Sequence, residues 1–203
     1  MKDLTLNKFS ELTSSSDPVP GGGGVCGAVS ALAASLAQMV INLSNGKKLY
    51  LQYTDEYNEL INELEDIRIK LLDSINEDAK CFEPLAKAYK MPKDDPNYDT
   101  EMERCLKLAA SSPFNILKLT TRIIEINERL AKIGTKISIS DAATSVKLCD
   151  GVLYGAYINV LVNTRLMKDK DYANDLNTKA LNLVNDYSAR ADNIFNRIIE
   201  RLS

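Results

Sequence analysis

Apolar residues recur along this chain at helical spacing, and no stretch alternates as a strand would. The clearest case is Leu60, Leu64, Ile67, Leu71 and Ile75, a stripe stepping by four and three that predicts a long helix from about Leu49 to Tyr89, kinked near its end by Pro84. A short helix from about Thr5 to Leu12 precedes it, with Thr5 as a cap and Leu6, Phe9 and Leu12 on one side. After Leu12, Pro18, Val19, Pro20 and the run Gly21 to Gly24 predict an ordered turn or a loop over a site.

Val25 to Ser44 carries no charge and reaches the length of a membrane span, but Ser30, Ser35, Gln38, Asn42 and Ser44 interrupt it. Gly23, Gly27, Ala31 and Ser35 put a small residue at every fourth position, so a buried helix approached closely by another is the expectation. Asn45-Gly46 supplies its C-cap, with Lys47 and Lys48 at the negative end of its dipole.

Met91 to Asn97 is a loop, and Thr100 to Ala110 a helix broken or kinked at Ser111-Ser112-Pro113. The next helix runs to about Ile133 and ends at Gly134; Ile137 to Ile139 is an extended connector. Ser140 is expected to cap a helix to about Met167, with Asp141 in its first turn. Asp171 to Leu202 closes the chain, burying Leu176, Ala180, Leu183, Tyr187, Ala191, Ile194, Ile198 and Leu202. The fold class is therefore all-α, an up-and-down bundle of long antiparallel helices in one domain spanning 1–203. Two charge-free helices exceed what one small bundle hides, so a homodimer burying a face of Val25 to Ser44 or of Ala142 to Met167 is expected.

Composition narrows the chemistry. There is no histidine, which removes the usual nucleophile-activating pairs, the commonest zinc ligand and the default proton shuttle at neutral pH. Cys26, Cys81, Cys105 and Cys149 are scattered in apolar settings and read as reduced core residues. With 25 basic and 28 acidic residues and no basic tract, nucleic acid is not an expected partner. Nothing near Met1 resembles a secretory leader, so a cytoplasmic location is expected, and a small membrane protein is the weakest alternative.

Extending the stripe past Ile75 brings Asp78, Phe82 and Leu85 inward, so an acid sits where a leucine would fit. Burial raises a carboxyl pKa toward the range useful for proton transfer; the alternatives are a structural ion pair or a stripe that has drifted to the surface. Asp141 reads first as dipole compensation. Asn159 and Asn163, four apart, either cross-link helices or read a polar ligand. The Gly21 to Gly24 run lacks the Lys-Ser/Thr of a phosphate-binding loop, leaving close packing or backbone N–H contacts to a ligand.

Together these blocks resemble the formiminotetrahydrofolate cyclodeaminases and related methenyltetrahydrofolate cyclohydrolases. The resemblance rests on Pro20 to Gly23, Gly46-Lys47-Lys48 with Tyr50, Asp78-Ala79 with Phe82, Met91-Pro92-Lys93, Ser140-Asp141, and Gly155 to Asn163. It implies a dimeric all-helical enzyme with Asp78 as the catalytic acid and a folate pocket between subunits. Gly22, Gly23, Lys48, Asp141 and Asn159 match the family's substrate-binding blocks. The implied ligand is a tetrahydrofolate derivative, with or without a polyglutamate tail, as substrate and not cofactor; no metal or other cofactor is expected. Either ammonia release from 5-formiminotetrahydrofolate or hydrolysis of 5,10-methenyltetrahydrofolate fits, as does a non-catalytic folate-binding or scaffold protein. One departure is that Gly134-Thr135-Lys136 stands where the family often has Gly-Asn.

Overall fold

The computed structural model describes residues 1–202, and among them there is no strand. Six α-helices run in order: α1 (Leu6–Thr13), α2 (Gly22–Ser44), α3 (Thr54–Ala88), α4 (Tyr98–Ile133), α5 (Ile139–Thr164) and α6 (Lys170–Leu202). A 3-10 turn, Lys48–Tyr53, leads into α3, so the long helix starts later than its stripe alone predicts.

Helix α2 packs against α3, α4 and α5, and α4 packs against α3, α5 and α6. The small residues of α2 decide how close α3 can come. A Cβ on Gly27 would lie 2.5 Å from Ser74 Oγ and 3.1 Å from the Leu71 carbonyl, so the α3 backbone sits where any side chain at 27 would project. α2 and α5 run antiparallel: Gly22 meets Asn159, Gly155 meets Cys26, and Ser145 Oγ donates to the Ala33 carbonyl at 2.7 Å. Buried hydroxyls and amides pin the register elsewhere. Ser30 and Thr120 share a 2.8 Å hydrogen bond, Asn127 donates to Ser145 Oγ at 2.8 Å, and Tyr57 donates to the Ile133 carbonyl at 2.5 Å.

Several sequence expectations hold. Thr5 Oγ accepts from the Lys8 N–H, Gly46 adopts φ +80° after α2, and Gly134 ends α4. All four cysteines are free, and Cys26, Cys105 and Cys149 are buried. On α6 the core face is Ala173, Leu176, Ala180, Val184, Ala191, Ile194 and Ile198. Leu183 and Tyr187 are only half-buried, and Leu202 is exposed.

Others are corrected. The glycine run is not a loop: α2 already begins at Gly22, because bare backbone there lets α3 and α5 close around the helix start. Ser111-Ser112-Pro113 does not break α4, which runs 36 residues through it. Leu106, Ala109, Ala110, Pro113, Ile116 and Leu117 keep one buried face continuous, and this packing outweighs the bond that Pro113 cannot donate. Ser140 is not the cap of α5, which starts at Ile139 after Ser138.

By length and composition α2 and α5 could each cross a membrane; 56% of the apolar window of α2 and 39% of that of α5 are buried within the chain. Among the exposed apolar side chains are Leu32, Met39 and Leu43 of α2 and Ile158 and Val162 of α5, the α5 pair level with the start of α2 and Met39 and Leu43 toward its far end.

Gly27→Ala is predicted to destabilise the protein by about 1–3 kcal/mol, the usual range for overpacking. Thermal unfolding checks it; an unchanged Tm would mean that α3 is not held against the α2 backbone.

Candidate active site

The carboxyl group of Asp78 lies on the first turn of α2. An ideal Cβ at Gly23 would fall 2.3 Å from Asp78 Oδ1 and 2.6 Å from its Cγ, so only glycine leaves that space to the acid. One residue earlier, a Cβ at Gly22 would fall 2.9 Å from Asn159 Nδ2. Gly22, Gly23, Asp78 and Asn159 thus converge, and with Pro18, Val19, Gly21, Phe82, Ala109, Pro113, Val162 and Asn163 they line a cleft of about 190 Å³.

Asp78 is the one ionisable side chain among those lining residues. Burial raises its pKa above the ordinary aspartate value, while the Ser112 hydroxyl and the Gly24 N–H favour its charged form and limit the rise. No salt bridge to Asp78 occurs among the described residues, so the structural-ion-pair reading of the sequence falls away. Two thiols stand nearby. Cys26 is pushed up to about 11 by burial and by the Asp78 charge, and burial also pushes Cys81 up, so both stay protonated at neutral pH.

Asn159 donates to the Gly155 carbonyl at 2.7 Å and Asn163 to the Asn159 carbonyl at 2.9 Å. Their amides therefore bond back along α5 and do not cross-link helices, and each retains further amide capacity at the cleft wall. Pro113 has no N–H to offer the Ala109 carbonyl, which leaves that oxygen without its intrahelical partner beside the cleft.

Lys48 and Asp141 are not in this cleft. Asp141 is in the first turn of α5 and Asn159 is eighteen residues along the same helix, about 27 Å at 1.5 Å per residue. Lys48 follows the far end of α2, beside the segment where Lys47 Nζ donates to Thr135 Oγ1 at 3.4 Å. The expected set of binding residues is therefore split between the two ends of the bundle, a consequence of helix length that motif matching does not register. Ser112 is the reverse case: sequence reading treats it only as part of a helix break, and its place beside Asp78 depends on α4 running straight through.

Among the described residues no group of three or more cysteines and carboxylates could hold a metal ion. A larger groove of about 430 Å³ lies between α3 and α4, but Lys70 there pairs with Asp66, Asp73 pairs with Lys2, and Lys118 lies over Phe114.

A family model described as formiminotransferase-cyclodeaminase matches residues 5–182. The chain belongs to this family. Its similarity to a methenyltetrahydrofolate cyclohydrolase of Methylorubrum extorquens is 28% identity over 206 residues, covering 98% of both chains. A formimidoyltransferase-cyclodeaminase of Mus musculus is 26% identical over 194 residues; the match takes in 93% of this chain but only 36% of that protein. The crystal structure of a formiminotetrahydrofolate cyclodeaminase from Thermotoga maritima superposes with a TM-score of 0.85 at 29% identity, covering 99% of this chain and 96% of that one. Within the formiminotransferase-cyclodeaminase family, then, this chain is matched end to end by relatives named for two folate one-carbon reactions.

Two predictions follow from the geometry of Asp78. Because its folded-state pKa lies above that of the unfolded chain, stability is greatest where the acid is protonated and falls as pH rises through that folded-state value. Asp78→Asn escapes this loss: at neutral pH it should melt above wild type, by roughly 2–4 °C for each kcal/mol of relieved desolvation, and its advantage should shrink in acid. A pH-independent difference would contradict the assignment. Gly23→Ala should displace the carboxyl by about an ångström and lower any Asp78-dependent turnover by roughly 10²-fold while the fold persists.

Proposed function

We propose that this protein converts 5-formiminotetrahydrofolate to 5,10-methenyltetrahydrofolate and ammonia, with Asp78 as the proton carrier. The observation that carries this reading is the single desolvated carboxyl in a cleft with no other ionisable wall residue. In the reaction, N10 attacks the formimino carbon, and a bond from that carbon to the departing nitrogen breaks. For the substrate in its amidinium form, one proton moves from N10 to the leaving nitrogen and the charge is conserved. A carboxyl group of raised pKa serves both halves, as base toward N10 and then as acid toward ammonia. No metal or other cofactor enters this scheme.

The second reading, hydrolysis of 5,10-methenyltetrahydrofolate to 10-formyltetrahydrofolate, is favoured by the full-length similarity to the Methylorubrum extorquens cyclohydrolase. There Asp78 would take a proton from the attacking water. The two reactions share the bicyclic folate and the same carboxyl.

A second copy of the chain completes the site in this account. The cleft, at about 190 Å³, is smaller than the roughly 300–1,000 Å³ that encloses a ligand of drug size. Its wall residue Val162 is an exposed apolar side chain of α5. A two-fold axis lying in an interface on the α2 and α5 side, perpendicular to those helices, would reverse helix direction and set the Lys48 and Asp141 end of one copy over the Asp78 end of the other. Lys48 would then meet the glutamate portion of the folate, in keeping with a polyglutamylated substrate, and the cytoplasm is the compartment proposed.

Supplying each purified substrate and following methenyl absorbance tests the proposal. Appearance of the signal from the formimino substrate is the expected result, and loss of a supplied methenyl signal marks the hydrolase. Turnover of neither would leave a folate-binding or scaffold role and overturn both. Asp78→Asn should lose at least about 10³-fold in kcat, within the usual range for a lost proton-transfer group; wild-type-like turnover would remove Asp78 from the chemistry.

A further inference from the structure

Ser112 stands between two spaces. Its neighbours Ala109 and Pro113 line the Asp78 cleft, while Ser112 itself lines the groove on the other side of the α3–α4 contact, with Ser74, Glu77 and Asn115. The residue is only 6% exposed, and among the described residues its Oγ has no hydrogen-bond partner. This is unusual for a serine inside a helix, where the hydroxyl ordinarily returns to a carbonyl three or four residues back. The adjacent Ser111 does so, donating to the Leu108 carbonyl at 2.7 Å, as does Ser74, donating to the Leu71 carbonyl at 2.7 Å. A buried hydroxyl held without such a bond is costly unless another group uses it. The group beside it is the carboxylate of Asp78, whose charged form it favours.

We propose that Ser112 is a positioning residue for Asp78: its hydroxyl donates to one carboxylate oxygen during turnover, leaving the other oxygen aimed into the cleft. The inference rests on Asp78 being the proton carrier, but Ser112 acts on the carboxyl whatever the substrate. Three features support it. The Gly24 N–H of α2 and the Ser112 hydroxyl of α4 both favour the charged form of the carboxyl, and the bare Gly23 leaves no side chain to fix it. Fixing one oxygen by a hydroxyl that can rotate lets the carboxyl alternate between charged and protonated forms without moving. The expectation of a break at Ser111-Ser112-Pro113 hides this role, because only an unbroken α4 turns Ser112 toward α3.

The other titratable groups near Asp78 are Cys26 of α2 and, on α3, Cys81 with Glu77 acting on it. From α4 the facing groups are the Ser111 and Ser112 hydroxyls, and from α5 the neutral amides of Asn159 and Asn163. Both thiols stay protonated across the neutral range, so neither adds a charge beside Asp78.

The test follows the Asp78 titration by ¹³Cγ NMR on aspartate-labelled protein, with Asp78→Asn identifying the signal. In Ser112→Ala the midpoint should rise by about one pH unit, the effect of losing a donor to the charged form. Ser112→Cys, which keeps the size and weakens the donor, should move it the same way, and Ser112→Thr, which keeps the hydroxyl, should leave it near wild type. Turnover in Ser112→Ala should fall roughly tenfold in kcat with KM unchanged, the pattern of a misplaced catalytic group and not of lost binding. An unmoved titration in either Ser112→Ala or Ser112→Cys overturns the proposal, as does an equal shift in Ser112→Thr. If the titration moves but no folate is turned over, the folate reading fails and the Ser112 contact stands.

Discussion

The Asp78 carboxyl occupies the volume that a Cβ on residue 23 would need. That one exclusion ties the sequence to the site. It requires glycine where a helix begins, it brings α3 onto the first turn of α2, and it half-buries the acid, and that burial raises its pKa. The same logic repeats one turn along α2, where Gly27 admits Ser74 and the α3 backbone, so the close contact that builds the core also presses the carboxyl into its place. Packing and chemistry are here a single geometric condition.

The rest of the bundle serves that condition. Asn159 reaches the start of α2 because α5 runs antiparallel to it, in a register held by Ser145 at the Ala33 carbonyl and by Asn127 behind Ser145. α4 supplies the remaining wall through Ala109 and Pro113. Ion pairs such as Arg190 with Glu128 at 2.7 Å lie on outer faces and contribute little beyond fixing side chains. What the single chain leaves open are apolar side chains of α2 and α5, among them Val162 at the cleft, against which the proposed second copy would dock.

Much of this was legible in the residues themselves. Asp78 stood out because the stripe through Leu71 and Ile75 continues to it, and a stripe is a local property that survives folding. The small-residue face of α2 was legible for the same reason. The helical start at Gly22 was not, since glycine's intrinsic cost argues for a loop and only the contacts of α3 and α5 reverse that balance. Nor was the uninterrupted α4: the local signals of Ser111-Ser112-Pro113 favour a break, and the buried face on either side overrides them. The separation of Lys48 and Asp141 from Asp78 follows from helix length and direction, which matching short blocks does not measure. Family membership and the all-helical architecture agree with the resemblance read from those blocks.

The central claim is that a desolvated carboxyl at residue 78 moves the proton in folate chemistry. The pH dependence of kcat/KM for the substrate that is turned over addresses it most directly, because this quantity reports the ionisations of the free enzyme. A limb with its midpoint above the ordinary aspartate range, absent from the residual rate of Asp78→Asn, is the predicted result. A profile that is flat through that range, or a limb that persists unchanged in Asp78→Asn, would contradict the account.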